Sequence, residues 1–381
     1  MIDFKFRRLS AAVFAASASL AVPLAADAQS VQVNKVCACY LTDLSEDGSA
    51  ATGQMNSNFA TFRWTQSGGV QTLGRNMYVG LGGQISGTPR ISDDGRTIAA
   101  TIIDDTHSYG TSGRWTVDGG WEQLGLPADG GILDRNDSSV FGMSGDGRTI
   151  TGLYWRPNQP GGLAHGSVWT AATGMVGIPT DGGSSRIDGA NRDGTVLSGW
   201  EEDPVRGYRR ATVWVNGART ILDDGGPDGW PSEASAVNAD GTIVVGNANN
   251  PDTQRVEAVM WKWNGAKWVK KILGVGPHGL ASASAYATGV SDDGSIVVGF
   301  FRNKFNIFSS GGFVWTQASG LVDAEGWLQS EGVNMKKHLS VIQVSAVSGD
   351  GRVLAMYAVQ NEPPFGARSL LVTRQEGAQA K

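Results

Sequence analysis

The stretch VNADGTIVVGNA, Val237 to Ala248, sets an Asp-Gly pair between a short polar approach and a β-branched run. Such a pair suits either a calcium-binding loop or a tight turn between two strands. Repetition decides between them. LSEDGSAATG starts at Leu44, ISDDGRTIAA at Ile91, MSGDGRTITG at Met143, ANRDGTVLSG at Ala190, VSDDGSIVVG at Val290 and VSGDGRVLAM at Val347. The Asp residues of the seven copies, Asp47, Asp94, Asp146, Asp193, Asp240, Asp293 and Asp350, are 47 to 57 residues apart. Just ahead of the Asp stands Glu46, Asp93, Gly145, Arg192, Ala239, Asp292 or Gly349. An Arg beside a calcium ion would oppose it, whereas a turn needs only Asp and Gly, both of which tolerate positive φ. The copies read as turns, and the chain as a repeat protein.

A tryptophan follows each turn at a near-constant distance: Trp64, Trp115, Trp169, Trp214, Trp261 and Trp315, with Leu371 in the matching place of the seventh copy. Each sits in a short apolar run followed by a Gly turn and a further short strand. One repeat therefore contains strand A, the Asp-Gly turn, strand B ending in Gly, a variable loop, strand C with the Trp, a Gly turn and strand D. Four short antiparallel strands in about 50 residues make a propeller blade. The expected fold is all-β, a seven-bladed β-propeller of four-stranded antiparallel blades over residues 29–374, followed by a tail at 375–381. The seventh copy has no apolar strand D of its own, while VQVNKV (Val31 to Val36) precedes the first strand A. That N-terminal strand is expected to complete blade seven and close the ring, covering an open edge.

Residues 1–28 have the pattern of a secretory signal peptide, with Lys5, Arg7 and Arg8, an apolar run from Leu9 to Leu24, and Ala26-Asp27-Ala28. The expected location is periplasmic or secreted, with no membrane span. The formal net charge of −5 argues against nucleic acid as the main partner. Cys37 and Cys39 are read as two buried or partly buried thiols, a redox or metal pair being the sharper alternative. No metal site or cofactor is expected, and the protein is expected to be a monomer.

The repeat core is similar to V-S-x-D-G-x-x-V-V-G followed by a strand with Trp, and so resembles the HAF-type extracellular repeats of bacterial exported proteins. VSDDGSIVVG and VNADGTIVVG match that pattern best; ANRDGTVLSG and LSEDGSAATG match it loosely. The resemblance implies an exported β-propeller-like protein and brings no catalytic motif with it.

In a propeller the A-to-B and C-to-D turns share one face, and the B-to-C and D-to-A loops share the other. The Asp-Gly face is regular, so function is expected on the loop face. Two classes stay open. One is a binding module for a glycan or an extracytoplasmic protein, using Trp155, Trp200, Arg209, Arg210, Phe300 and Arg302 to stack on rings and grip carboxylates. The other is a lyase acting on uronate-containing glycans, with His107, Tyr109, Tyr154, Arg156 and His165 on adjacent loops as base and charge neutraliser. The bulky residues at the strand ends can equally pack between blades. The acidic run Glu201-Glu202-Asp203 reads as a solvated loop.

Overall fold

The computed structural model describes residues 31–374 apart from 77–86, 134, 159–162, 226–228, 277–282, 304–309 and 336–337. The targeting segment at 1–28, the tail at 375–381 and His278 lie outside the described residues. Seven four-stranded antiparallel sheets are arranged as blades in a ring. Blade four is representative, with Ser185–Ala190, Val196–Glu202, Arg209–Val215 and Ala218–Asp223 as strands A to D. Blade seven takes Leu339–Val347, Val353–Gln360 and Ala367–Arg374 as A to C, and its fourth strand is Val31–Cys37, antiparallel to Ala367–Arg374. Strand A is innermost in every blade.

The recurring grammar of the turn has a separate physical reason at each position. In the quoted stretch Asn238 accepts the Ile243 N–H and Asp240 accepts the Thr242 N–H and hydroxyl. In the Ser copies the Ser hydroxyl stands in for both the Asn side chain and the Thr hydroxyl: Ser291 accepts from the Ile296 N–H and donates to Asp293, which still accepts the Ser295 N–H. Gly241 has φ +74°, and a Cβ there would lie 2.6 Å from Val196 of the preceding blade. The same contact runs round the ring, from Gly48 on Val353 to Gly294 on Ile243. The carboxylates are thus held inside their own turns, which is the turn reading made concrete.

Strand B does not stop at its closing Gly. Val196–Glu202 runs three residues past Gly199, and Ile296–Asn303 runs four past Gly299. The Gly answers a bulge in strand A: the register shifts between Ile187 and Gly189, and equivalent shifts occur in blades one, three, five, six and seven. Opposite that bulge a Cβ on residue 199 would meet the Arg186 carbonyl at 2.0 Å. Tyr154, Trp155, Arg156, Trp200, Phe300 and Arg302, expected on loops, are therefore residues of strand B, and His165, Arg209 and Arg210 lie on strand C paired with it.

Two further expectations are corrected by pairing. The tryptophans pair with the fifth residue after the one that precedes Asp, as Trp214 pairs with Leu197 and Trp169 with Ile150. In blade seven that register belongs to Val372, opposite Leu354, so Leu371 faces the other way, toward blade one. Cys37 and Cys39 form a disulfide rather than two thiols. Their Cα atoms are 5.2 Å apart because the chain bends at Ala38, where it leaves Val31–Cys37 and enters Cys39–Leu44. One short helix, Ala324–Ser330, follows strand D of blade six; Asp323 caps it and Trp327 and Leu328 are buried between blades six and seven. It occupies the longest of the repeat spacings. Among the described residues no helix is long and apolar enough to cross a membrane.

Candidate functional site: the two ends of the central channel

The residues ahead of the seven Asp, variable in sequence, gather around one opening at the axis. Backbone N–H groups link each blade to the next: Glu46 to the Asp93 carbonyl, Asp93 to Gly145, Asp146 to Arg192, Arg192 to Ala239, Asp292 to Gly349, and Asp350 to Glu46, at 2.8 to 3.2 Å. Between blades five and six the Asn238 side-chain amide takes over, donating to the Asp292 carbonyl at 2.7 Å. The seven links form a closed hub. Glycine stands at 145 and 349 because the carboxylates of Asp93 and Glu46 lean over those Cα atoms. Arg192 spans the opening, donating to Glu46, to Asp93 at 2.7 Å and to Asp292 at 2.9 Å. Burial and the neighbouring Glu46 push the Asp292 carboxyl up to about 6. Above the hub lies a cavity of about 140 Å³ flanked by Asp43, Asp188 and Arg90. Burial raises both Asp43 and Asp188, opposed by Arg90 and Arg186 respectively. The regular face, expected to be the uninteresting one, is therefore where the channel is closed and charged.

At the loop end, blade four carries a ladder across three strands. Arg209 lies over the Trp200 ring at 4.1 Å, and Arg186 lies 5.4 Å from the same ring and 4.3 Å from Phe141. Both guanidinium groups pair with Glu233 of blade five, and Arg186 also pairs with Asp188. Trp200 is 3% exposed, beneath its own arginines. Arg210 joins Arg219 around Glu201 and Asp181. Glu201 is fully buried and paired, and Asp203 is buried where it accepts the Val205 and Arg206 N–H groups and pairs with Arg206, so these two carboxylates of the acidic run are not solvated; Glu202 is half-buried.

Blades six, seven and one present an aromatic arc instead. Tyr286 stacks on Phe300 at 5.1 Å and 20°, with the Arg302 guanidinium 4.7 Å from the Phe300 ring. Tyr40 meets Tyr357 edge to face at 5.0 Å. All four rings are partly exposed and Arg302 is exposed. Burial raises the Tyr40 hydroxyl to about 12, against a hydrogen bond with Gln343 that lowers it. Phe365, on the B-to-C loop of blade seven, is 73% exposed. Sequence reasoning missed Tyr40 and Tyr286. Each stands six residues before the hub position, Glu46 and Asp292, so an alignment of the copies on the hub would have paired them.

The residues expected for catalysis form two groups. Tyr154 and His165 touch edge to face at 5.5 Å, and Asp129 accepts from the Tyr154 hydroxyl at 3.1 Å while pairing with Arg156 at 3.0 Å. Burial, then Asp129, raises Tyr154 to about 12; burial, then Arg156, lowers His165. Tyr154 is 2% exposed and belongs to the core of blade three. His107 stacks on Tyr109 at 5.0 Å beside Asp104, in the B-to-C loop of blade two. Burial raises Tyr109 as well. Trp155 is partly exposed in strand B of blade three, its backbone held by Asp137 and Gly131.

Solved structures place this architecture among propellers. The β-propeller domain of the Trilobed protease from Pyrococcus furiosus, with its open velcro topology, matches at TM-score 0.52 and 11% identity over 90% of this chain and 97% of that one. A prolyl endopeptidase matches at TM-score 0.52 and 12% identity over 92% of this chain and 51% of that one. TolB from Acinetobacter baumannii is similar at TM-score 0.43 and 14% identity, over 76% of this chain and 62% of its own. The chain thus spans under two thirds of the TolB chain and half of the peptidase. At such identities the likeness is one of fold. No protein-family model and no curated relative matches the sequence.

Proposed function

We propose that the protein is an exported binding module that takes a protein ligand at the loop end of its ring, across blades six, seven and one. The observation that carries this reading is the arc of Tyr40, Tyr286, Phe300 and Tyr357, partly exposed together beside Arg302. Aromatic rings with an arginine, clustered and incompletely covered, are the composition of interface hot spots. The leader-like residues 1–28 and the likeness of the repeats to HAF-type sequences support export.

The other ligand and activity readings have less support. A glycan stacked on blade four would have to displace Arg209 from Trp200. Proton abstraction by Tyr154 needs a phenol easier to ionise than usual, and burial with Asp129 makes it harder. Arg156, meant to neutralise a uronate carboxylate, already faces Asp129.

Photo-crosslinking residues placed at Arg302 or Phe365 are expected to trap the same partner from an extract of the producing cells. Crosslinkers at Val117 and Val176, exposed near the turns of the opposite end, are expected to leave it uncaptured. Equal capture at both ends, or none at Arg302 and Phe365, overturns the reading.

A further inference from the structure

Five of the six strand-C tryptophans, Trp115, Trp169, Trp214, Trp261 and Trp315, are at most 9% exposed. Each faces the preceding blade, and at two junctions the cover is a long cation from that blade. Arg114 of blade two lies 5.8 Å from the Trp169 ring, and Lys271 of blade five lies 4.6 Å from the Trp315 ring. Trp64 is the exception. The blade before it is blade seven, where Leu371 holds the register position of Arg114, and Asn34 that of Lys271. Neither is a cation. Trp64 stays partly exposed on the wall of a groove of about 560 Å³ between blades seven and one.

The rest of the lining fits one chemistry. The volume falls within the ~300–1,000 Å³ of small-molecule sites. Leu371 and Val353 are apolar parts of the lining. Gln32 and Asn34 come from the outermost strand, where Gln32 donates to Asn34 at 3.4 Å, and Gln66 comes from blade one; the three exposed amides keep further donors and acceptors for a ligand. Asp47 and Asp350 each commit one carboxylate oxygen to their own turn, leaving a second acceptor. An indole face beside planar amides suits a ring with an apolar C–H face and hydroxyls round its edge. Two carboxylates against Arg352 make the groove acidic, which disfavours uronates, sulfated sugars and phosphates.

We propose that the groove between blades seven and one binds a neutral saccharide, with Trp64 as its stacking platform. The site lies at the Asp-Gly end, so it stands or falls separately from the loop-end arc. The test is titration of the protein with cellotetraose, maltotetraose and chitotetraose, followed by tryptophan fluorescence and saturation-transfer NMR. At least one probe is expected to bind. Trp64→Ala should weaken it about tenfold or more. Because Trp64 also packs on the core, the double variant Gln32→Ala/Asn34→Ala, confined to exposed side chains, is expected to weaken binding severalfold with an unchanged melting curve. Phe365→Ala should leave it intact. Absence of binding by all three probes up to about 10 mM, or affinity unchanged in both groove variants, overturns the proposal.

Discussion

Gly241 shows how much one residue of the repeat carries. Its positive φ was legible from the Asp-Gly pair, since few other residues accept that conformation. Its second role was not legible, because Val196 lies in the preceding blade, about one repeat away, and only the ring brings them together. Gly217 separates the two roles, having φ +80° with nothing within 4 Å of a built Cβ. We expect Gly217→Ala to cost about 1–2 kcal/mol, the strain of a left-handed residue. Gly241→Ala should cost roughly 1–3 kcal/mol more through overpacking on Val196. Urea unfolding of the two variants measures the difference, and equal losses would show that the contact between blades is not a constraint. The same alternation of legible and hidden roles applies to Glu201: its charge suggested solvent, and only the pairing of Val196–Glu202 with Arg209–Val215 brings Arg210 to it.

At the scale of the element, the strand Val31–Cys37 is the piece with most at stake. It pairs along Ala367–Arg374, and Val31 is 1% exposed in the cluster shared by blades six and seven. Deleting residues 29–35 removes that pairing and uncovers the edge of strand C. With roughly 2–4 °C lost per kcal/mol in chains of this order of size, we expect the melting temperature to drop by about 10 °C or more. Calorimetry on the truncated chain decides, and an unchanged transition would mean the strand does not hold the ring. The architecture was readable in advance because the copies announce their own period. The exact register was not: the spacing pointed to Leu371, whereas hydrogen bonding puts Val372 in the indole's place. A strand can slip by one residue relative to a count along the chain, and each slip exchanges the two faces.

For the whole molecule, the charge cluster across the hub sets a pH dependence. The Asp292 carboxyl, raised to about 6, binds its proton more tightly folded than unfolded. Its contribution to stability is therefore greatest below the ordinary carboxylate range and is lost as pH rises through 6. Arg192 limits that loss by facing Glu46, Asp93 and Asp292 at once. Arg192→Gln should destabilise the protein by roughly 1–2 kcal/mol at pH 8, since partly exposed pairs contribute about 0.2–1 kcal/mol each. The deficit should shrink near pH 5, where a shared proton relieves the repulsion. Thermal melts at the two pH values test this, and a deficit independent of pH would assign Arg192 a packing role only. The hub has one more consequence. Its links from blade seven to blade one, Asp350 to Glu46 and Gly48 on Val353, are of the same kind as those between covalently consecutive blades. The inner ring therefore holds no memory of where translation began, so a chain recut at another junction, with its old ends joined, would find every contact at the axis waiting for it.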